Sequence, residues 1–147
     1  MYRLSLGIIF YLAVSLHAND KKPPVGPVRE GMAYEGVFRS GEPDKQGVLR
    51  KPNIAKFKLD IKFIDGEAFE GTWTWDGKDI TKVEGKITRG GVMTLRFTEN
   101  IKGKSVATFD GQAAGKVSDK QLQLRYVRPS GNRVGLAEGK IKLVETK

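Results

Sequence analysis

Residues 54–75 read IAKFKLDIKFIDGEAFEGTWTW, and this stretch decides the fold class. Apolar residues alternate with charged ones from Ile54 to Ile64, Asp65-Gly66 supplies a tight turn, and residues 68–75 alternate again. A period of two with one apolar face indicates two half-buried antiparallel strands joined as a hairpin.

The same pattern recurs along the rest of the chain. Further alternating segments cover residues 33–39, 82–88, 92–98, 105–115, 120–127 and 133–144. Most are joined by short turns rich in glycine, aspartate or asparagine. The sequence therefore predicts an all-β fold, an eight-stranded antiparallel meander, with a closed up-and-down β-barrel favoured over an open meander or sandwich.

Glycine follows an acidic residue at five places on these strands. Each glycine shares a face with the apolar residues two positions away, while the acid points to the other face. Glycine inside a strand marks a bend, a bulge or a close backbone approach, so five on the apolar face favour closure of the sheet. The five pairs are Glu35-Gly36, Glu70-Gly71, Glu84-Gly85, Asp110-Gly111 and Glu138-Gly139.

The N-terminus has the composition of a signal peptide. Arg3 precedes an apolar run of thirteen residues, Leu4 to Leu16, and Ala18 is a small residue at the expected cleavage point. A helix of this length rises only about 20 Å, less than the ~30 Å core of a bilayer. We therefore predict a cleaved signal over residues 1–18, export to the periplasm or the medium, and no membrane span after cleavage.

The mature chain is predicted to have two parts, a tether and a barrel domain. Residues 19–31 are rich in proline, glycine and lysine and are predicted to form an extended tether. Residues 32–147 form the predicted barrel domain. The chain contains no cysteine, so this domain must rely on its core and not on disulfides.

The residue inventory argues against catalysis and cofactor binding. The only histidine is His17, in the predicted signal, so the mature chain lacks the usual nucleophilic pairs and zinc ligands. A carboxylate pair for glycoside hydrolysis is also unsupported, because Glu70 and Glu84 point outward and Asp65 and Asp76 occupy turns. We predict a protein that is not an enzyme and that has no metal and no cofactor.

Aromatic residues lie mainly on the predicted inward face. One interpretation is an apolar pocket inside the barrel for one small ligand, and the other is a core packed solid by the same rings. Trp75 precedes a turn and should lie near a mouth of the barrel. The candidate pocket lining is Tyr34, Phe57, Trp73, Trp75 and Tyr126.

The chain is cationic, with a formal net charge of +9 that falls to +8 without Arg3. The excess lies in residues 45–62 and 120–147. Such a surface suits an anionic polymer or a protein partner, or is simply a solvated exterior. Nucleic acid is not predicted as a partner, because the aromatic residues point inward and leave no exposed stacking platform.

The meander over residues 33–144 and the stretch Phe69-Glu70-Gly71-Thr72-Trp73 resemble the calycin superfamily of lipocalin-like and avidin-like barrels. The inward face is nearly all apolar, so the resemblance does not extend to a biotin site. It does imply that the long connection of residues 40–53 serves as a lid over one end. Arg50 and Lys51 in this loop are then expected to meet an acidic group of the ligand or a partner. The alternative is an ordinary surface loop.

Two functions follow from these observations. The leading prediction is an exported, non-catalytic binding protein that holds one small apolar ligand in the barrel. The alternative is a packed barrel that acts through its cationic surface, as an interaction or inhibitor protein or on an anionic envelope polymer.

Overall fold

The structure, a computed structural model, describes residues 20–103 and 111–142. Each strand pairs antiparallel with the next, and the first pairs with the last, so the sheet closes into a barrel and the predicted fold class is confirmed. The predicted signal, residues 104–110 and residues 143–147 lie outside the described parts. The strands are β1 (Ala33–Gly41), β2 (Asn53–Asp65), β3 (Ala68–Trp75), β4 (Asp79–Ile87), β5 (Val92–Lys102), β6 (Gln112–Val117), β7 (Gln121–Arg128) and β8 (Arg133–Ile141).

The two ends of the barrel differ. The end that we call the loop end carries the long β1–β2 connection, the β3–β4 turn and the β7–β8 hairpin with its short 3-10 turn, Pro129–Gly131. The opposite end, which we call the closed end, carries the short β2–β3, β4–β5 and β6–β7 turns. The chain enters the barrel at the closed end.

The segment before β1 lies against the closed end. Val28 is 1% exposed and belongs to the core. The amide of Gly31 donates to the carbonyl of Ile61 at 2.9 Å, and the amide of Gly66 donates to the carbonyl of Lys22 at 3.0 Å. The described part of the predicted tether, residues 20–31, therefore covers this end of the barrel.

The inward glycines allow neighbouring strands to approach closely. A Cβ atom on Gly85 would lie 1.8 Å from the carbonyl oxygen of Thr94, and one on Gly71 would lie 2.3 Å from that of Asp60. Gly115, which follows no acid, has the same relation to the carbonyl oxygen of Gln123, at 2.0 Å. These positions exclude any side chain, as the close backbone approach inferred from the sequence requires.

A β-bulge in β2 corrects the predicted inward face of that strand. The simple alternation places Phe63 inside, but the pairing with β3 shifts between Ile61 and Phe63. An extra residue reverses the alternation. Phe63 is therefore 43% exposed, and Ile64 is buried in its place. The backbone amide of Ile64 donates to Glu30 Oε1 at 2.8 Å, which links the bulged strand to the segment over the closed end.

Candidate ligand site

Six aromatic side chains occupy the loop-end half of the interior, and we call them the aromatic cluster. All are 6% exposed or less. Ring centroids within the cluster lie between 4.4 Å, for the stacked pair Phe57–Trp73, and 6.4 Å, for Phe38–Trp73. The members are Phe38, Phe57, Trp73, Trp75, Phe97 and Tyr126.

Four of the five predicted lining residues meet in this cluster. Phe57 and Trp73 stack with an interplanar angle of 17°, and Trp75 lies 5.3 Å from Trp73. Tyr126 contacts this group through Phe38 of β1 and Phe97 of β5. Trp75 is the last residue of β3, so it lies next to the loop-end mouth, where the sequence predicts it.

The fifth predicted residue, Tyr34, lies apart from the other four. Its hydroxyl donates to the backbone carbonyl of Ser118 at 2.6 Å, in the β6–β7 turn of the closed end. Burial, with a smaller contribution from the charge of Asp119, raises the pKa of Tyr34 to about 12. Tyr34 therefore ties the closed end together with a neutral hydroxyl, and its ring is not part of the aromatic cluster.

Phe38 and Phe97 connect the cluster, although neither was selected as lining. Phe38 contacts Trp75 at 4.9 Å and Tyr126 at 5.4 Å. Phe97 contacts the same two rings, at 5.8 Å and 5.9 Å. Both lie on the inward face that the period of two predicts. That face is the signal by which the sequence could have identified them as lining residues.

Two polar hydrogens in the cluster lack an acceptor. The ring nitrogens Nε1 of Trp73 and Trp75 are both buried and neither has a hydrogen-bond partner. The two side chains share one face of β3 and are 1% and 4% exposed. Buried polar groups are nearly always paired in native proteins, and each unpaired one costs about 1–3 kcal/mol. Trp73 and Trp75 therefore hold two buried N–H groups for which no described residue supplies an acceptor.

Buried hydroxyls and an arginine accompany the rings near the mouth. Thr81 on β4 is 2% exposed, and Ser40 on β1 is 6% exposed. Arg133, the first residue of β8, donates from Nε to Ser40 Oγ at 3.3 Å. Sequence reasoning did not select these three, because the predicted strands ended short of Ser40 and Thr81. Arg133, in contrast, lies two and four positions before the inward residues Gly135 and Ala137, so the alternation places it on the same face.

The two residues predicted on a lid lie in the β1–β2 connection. Arg50 donates from Nε to Asp44 Oδ2 at 2.6 Å, and Lys51 is exposed. Asp44 also accepts from the backbone amides of Gln46 and Val48, and these contacts, that of Val48 first, lower the pKa of Asp44. The ion pair of Arg50 with Asp44 therefore stabilises the β1–β2 connection itself. The lid remains a prediction.

A groove on the outer wall is a second concave feature. It crosses β2 to β7 and exposes apolar side chains, including Phe63 and Val127, beside charged ones. Arg96 and Glu84, which both line it, form an ion pair with each other. Nothing in the described residues shows what covers this groove, and the unpaired donors lie inside the barrel instead.

Across residues 20–103 and 111–142, no group of three or more histidine, cysteine, aspartate or glutamate side chains is placed to hold a metal ion. In the same ranges, no helix is long and apolar enough to cross a membrane.

Comparison with models of known protein families gives no match. Searches of curated proteins and of solved structures give no significant match either. The closed eight-stranded antiparallel barrel is compatible with a calycin-like fold, and the function must be argued from the geometry of the interior.

Proposed function

We propose that this protein binds one small, flat, largely apolar molecule in the loop-end half of its barrel. Aromatic rings supply the contact area, and the two indole N–H groups of Trp73 and Trp75 donate to an acceptor atom on the ligand. The observation that carries the proposal is the pair of buried, unpartnered ring nitrogens.

The energetics of these donors favour a ligand over a permanently dry core. Two unpaired buried N–H groups cost the ligand-free protein roughly 2–6 kcal/mol together. A carbonyl or ether oxygen placed between the rings would recover part of this cost. The surrounding walls are apolar or aromatic, so the remainder of the ligand should be apolar as well.

The rings touch one another in the structure, so a ligand has to part them. Aromatic side chains at the end of a barrel lie beside loops, and loops yield more readily than a packed sheet. Phe38 and Phe97 bridge the tryptophans to Tyr126, and their movement would open the space between these rings. We infer that the ligand enters at the loop end, since residues 20–31 cover the other.

The same ring contacts favour a second candidate function. An interior filled by aromatic side chains can serve the core alone. The protein would then act through its cationic exterior on an anionic polymer or a protein partner. Lys56, Lys62 and Lys86 are exposed and form no ion pair with any described residue. Such binding would weaken steeply as salt is raised, whereas binding of a neutral molecule inside the barrel would not.

A calycin-like relationship and export from the cytoplasm belong to this proposal. The barrel topology supports the first, and the apolar run of residues 4–16 with Ala18 supports the second. Both agree with a carrier or scavenger of small molecules outside the cytoplasm.

Native mass spectrometry of protein purified without denaturant from its source tests the proposal, followed by titration with naphthalene-2-carboxamide. This probe has a flat apolar body and one carbonyl acceptor. We expect a single bound molecule, and we expect Trp75→Phe, which keeps a ring but removes the donor, to weaken binding about fivefold to tenfold. Tyr34→Phe is the matched control, because it removes a polar hydrogen at the closed end.

Two results would contradict the proposal. One is a bare mass together with no binding of the probe. The other is equal affinity in the parent and Trp75→Phe, which would mean that the indole donor does not contact the bound molecule.

A further inference from the structure

A pair of arginines faces the loop-end mouth from the β7–β8 hairpin. Residues 128–133 contain Arg128 and Arg133 and no acidic residue. The two arginines are directly opposite each other across the strands. Like charges in this position repel, and they raise the positive potential at that edge of the mouth.

Arg133 extends over the inner side of the mouth. Its Nε donates to the hydroxyl of Ser40, which is 6% exposed. Ser40 lies two residues beyond Phe38 on the same face of β1, so it stands at the outer boundary of the aromatic cluster. Arg133 forms no ion pair with any described residue. Its remaining guanidinium donors are therefore available next to the rings.

Arg128 adds a second guanidinium at the same edge. Its strand position continues the inward series of Leu124 and Tyr126, and its Nε is buried. The side chain lies against the 3-10 turn, about 3.5–3.7 Å from where a Cβ on Gly131 would be. Arg128 has contacts of its own, and its part here is to contribute positive charge beside Arg133.

We propose that the natural ligand is an anion whose carboxylate lies at the loop-end mouth and accepts hydrogen bonds from Arg133. This inference rests on the function proposed above and assigns the chemical class of the ligand. Ser40 lies two positions after Phe38, a rise of about 6.6 Å along the strand. The flat body then lies among the rings and the carboxylate lies on the side of Trp75 and the mouth, so that one oxygen accepts from the indole N–H groups and the other accepts from Arg133.

A matched pair of probes tests this inference. Naphthalene-2-carboxylate and naphthalene-2-carboxamide share the flat body and a carbonyl oxygen, but only the first carries a charge. By isothermal titration calorimetry at low salt, we expect the carboxylate to bind about tenfold more tightly, because hydrogen bonds to charged groups are the stronger ones.

Substitutions at three positions test whether the preference for the carboxylate depends on Arg133. Arg133→Gln keeps a donor for Ser40 and should abolish the tenfold preference for the carboxylate. Arg39→Gln is the control, since Arg39 lies on the outer face of β1 and pairs with Glu138. Ser40→Ala, which removes the partner that positions Arg133, should lower the preference partly. Unchanged melting temperatures would show that all three variants fold.

The outcomes separate the two proposals. Equal binding of both probes, or a preference that survives Arg133→Gln, overturns the anionic ligand and leaves the barrel site intact. Failure of both probes to bind overturns the barrel site and the anionic ligand together.

Discussion

Gly36 and Gly139 are paired directly across β1 and β8, the two strands whose contact closes the barrel. A Cβ on Gly36 would lie 1.9 Å from the carbonyl oxygen of Glu138 and 2.5 Å from the Cα of Gly139. No real side chain tolerates such contacts with backbone. The seam of the barrel therefore depends on a position where two acid–glycine pairs meet.

Substitutions of the inward glycines should be severe even when the new side chain is small. We predict that Gly36→Ala and Gly85→Ala each destabilise the protein by about 3 kcal/mol or more, because the added methyl meets backbone that cannot move independently. Gly71→Val should be at least as damaging, since a Cβ at Gly71 would lie 2.3 Å from the carbonyl oxygen of Asp60. Urea denaturation monitored by tryptophan fluorescence measures the effect.

Gly90 provides the control for this series. Only the Thr88 hydroxyl, at 4.0 Å, is near a Cβ built there. Gly90→Ala should change the free energy of unfolding by less than about 1 kcal/mol. If Gly36→Ala behaves like Gly90→Ala, the close approach of β1 to β8 does not exist in solution.

The β2 bulge predicts opposite effects at two neighbouring residues. Phe63→Ser should cost less than about 1 kcal/mol, since Phe63 is exposed and its main contact is the ammonium of Lys21, 4.4 Å from the ring centroid. Ile64→Ala should cost about 2–4 kcal/mol, because Ile64 is 2% exposed. Denaturant titration of both variants compares them. A larger loss at Phe63 would mean that the strand alternates without a bulge.

Tyr34 should make stability depend on pH in the alkaline range. Its pKa is raised to about 12 in the folded protein, against about 10 in the unfolded chain. The unfolded chain therefore releases this proton first as the pH rises. The contribution of Tyr34 is complete below pH 10 and falls by about 1.4 kcal/mol per pH unit between pH 10 and 12.

Comparison with Tyr34→Phe isolates this group from the other titrating residues. At pH 8 the parent should be more stable by about 1 kcal/mol, from the hydrogen bond to Ser118. At pH 11 that advantage should be lost or reversed. A difference between the two proteins that stays constant with pH would show that the Tyr34 hydroxyl is solvated.

Val28 tests whether the segment before β1 belongs to the domain. We predict that Val28→Ala lowers the free energy of unfolding by about 2 kcal/mol, because the side chain is 1% exposed. Val25→Ala, at a less buried position, is the control and should cost clearly less. Equal, negligible effects would mean that residues 20–31 act only as a tether.

The period of two, together with the inward glycines, predicted the antiparallel meander, its closure and the inward face of most aromatic residues. It fixes which face a residue occupies but not its height along the barrel, which depends on strand tilt and stagger. For that reason Tyr34 was grouped with residues at the other end. At the bulge that exposes Phe63, the amide of Ile64 donates to Glu30, 34 residues away in sequence, and no local pattern contains this contact.

The aromatic residues of the candidate site could be predicted from the sequence, but its polar groups could not. Trp73 and Trp75 were identified from their position on β3, but whether an indole nitrogen finds an acceptor depends on neighbouring strands. Ser40 and Arg133 come from strands that meet only because the barrel closes, so their contact requires the register of β1 against β8.

The most direct test of the central claim uses the indole N–H signals in a ¹⁵N–¹H spectrum. The chain has two tryptophans, so the signals belong to Trp73 and Trp75. We predict that both indole protons exchange slowly with water in the ligand-free protein. Both should move downfield and saturate at one equivalent of naphthalene-2-carboxamide, as each donor gains an acceptor. Rapid exchange before titration, or binding of the probe with both signals unmoved, would contradict a ligand site at these two residues.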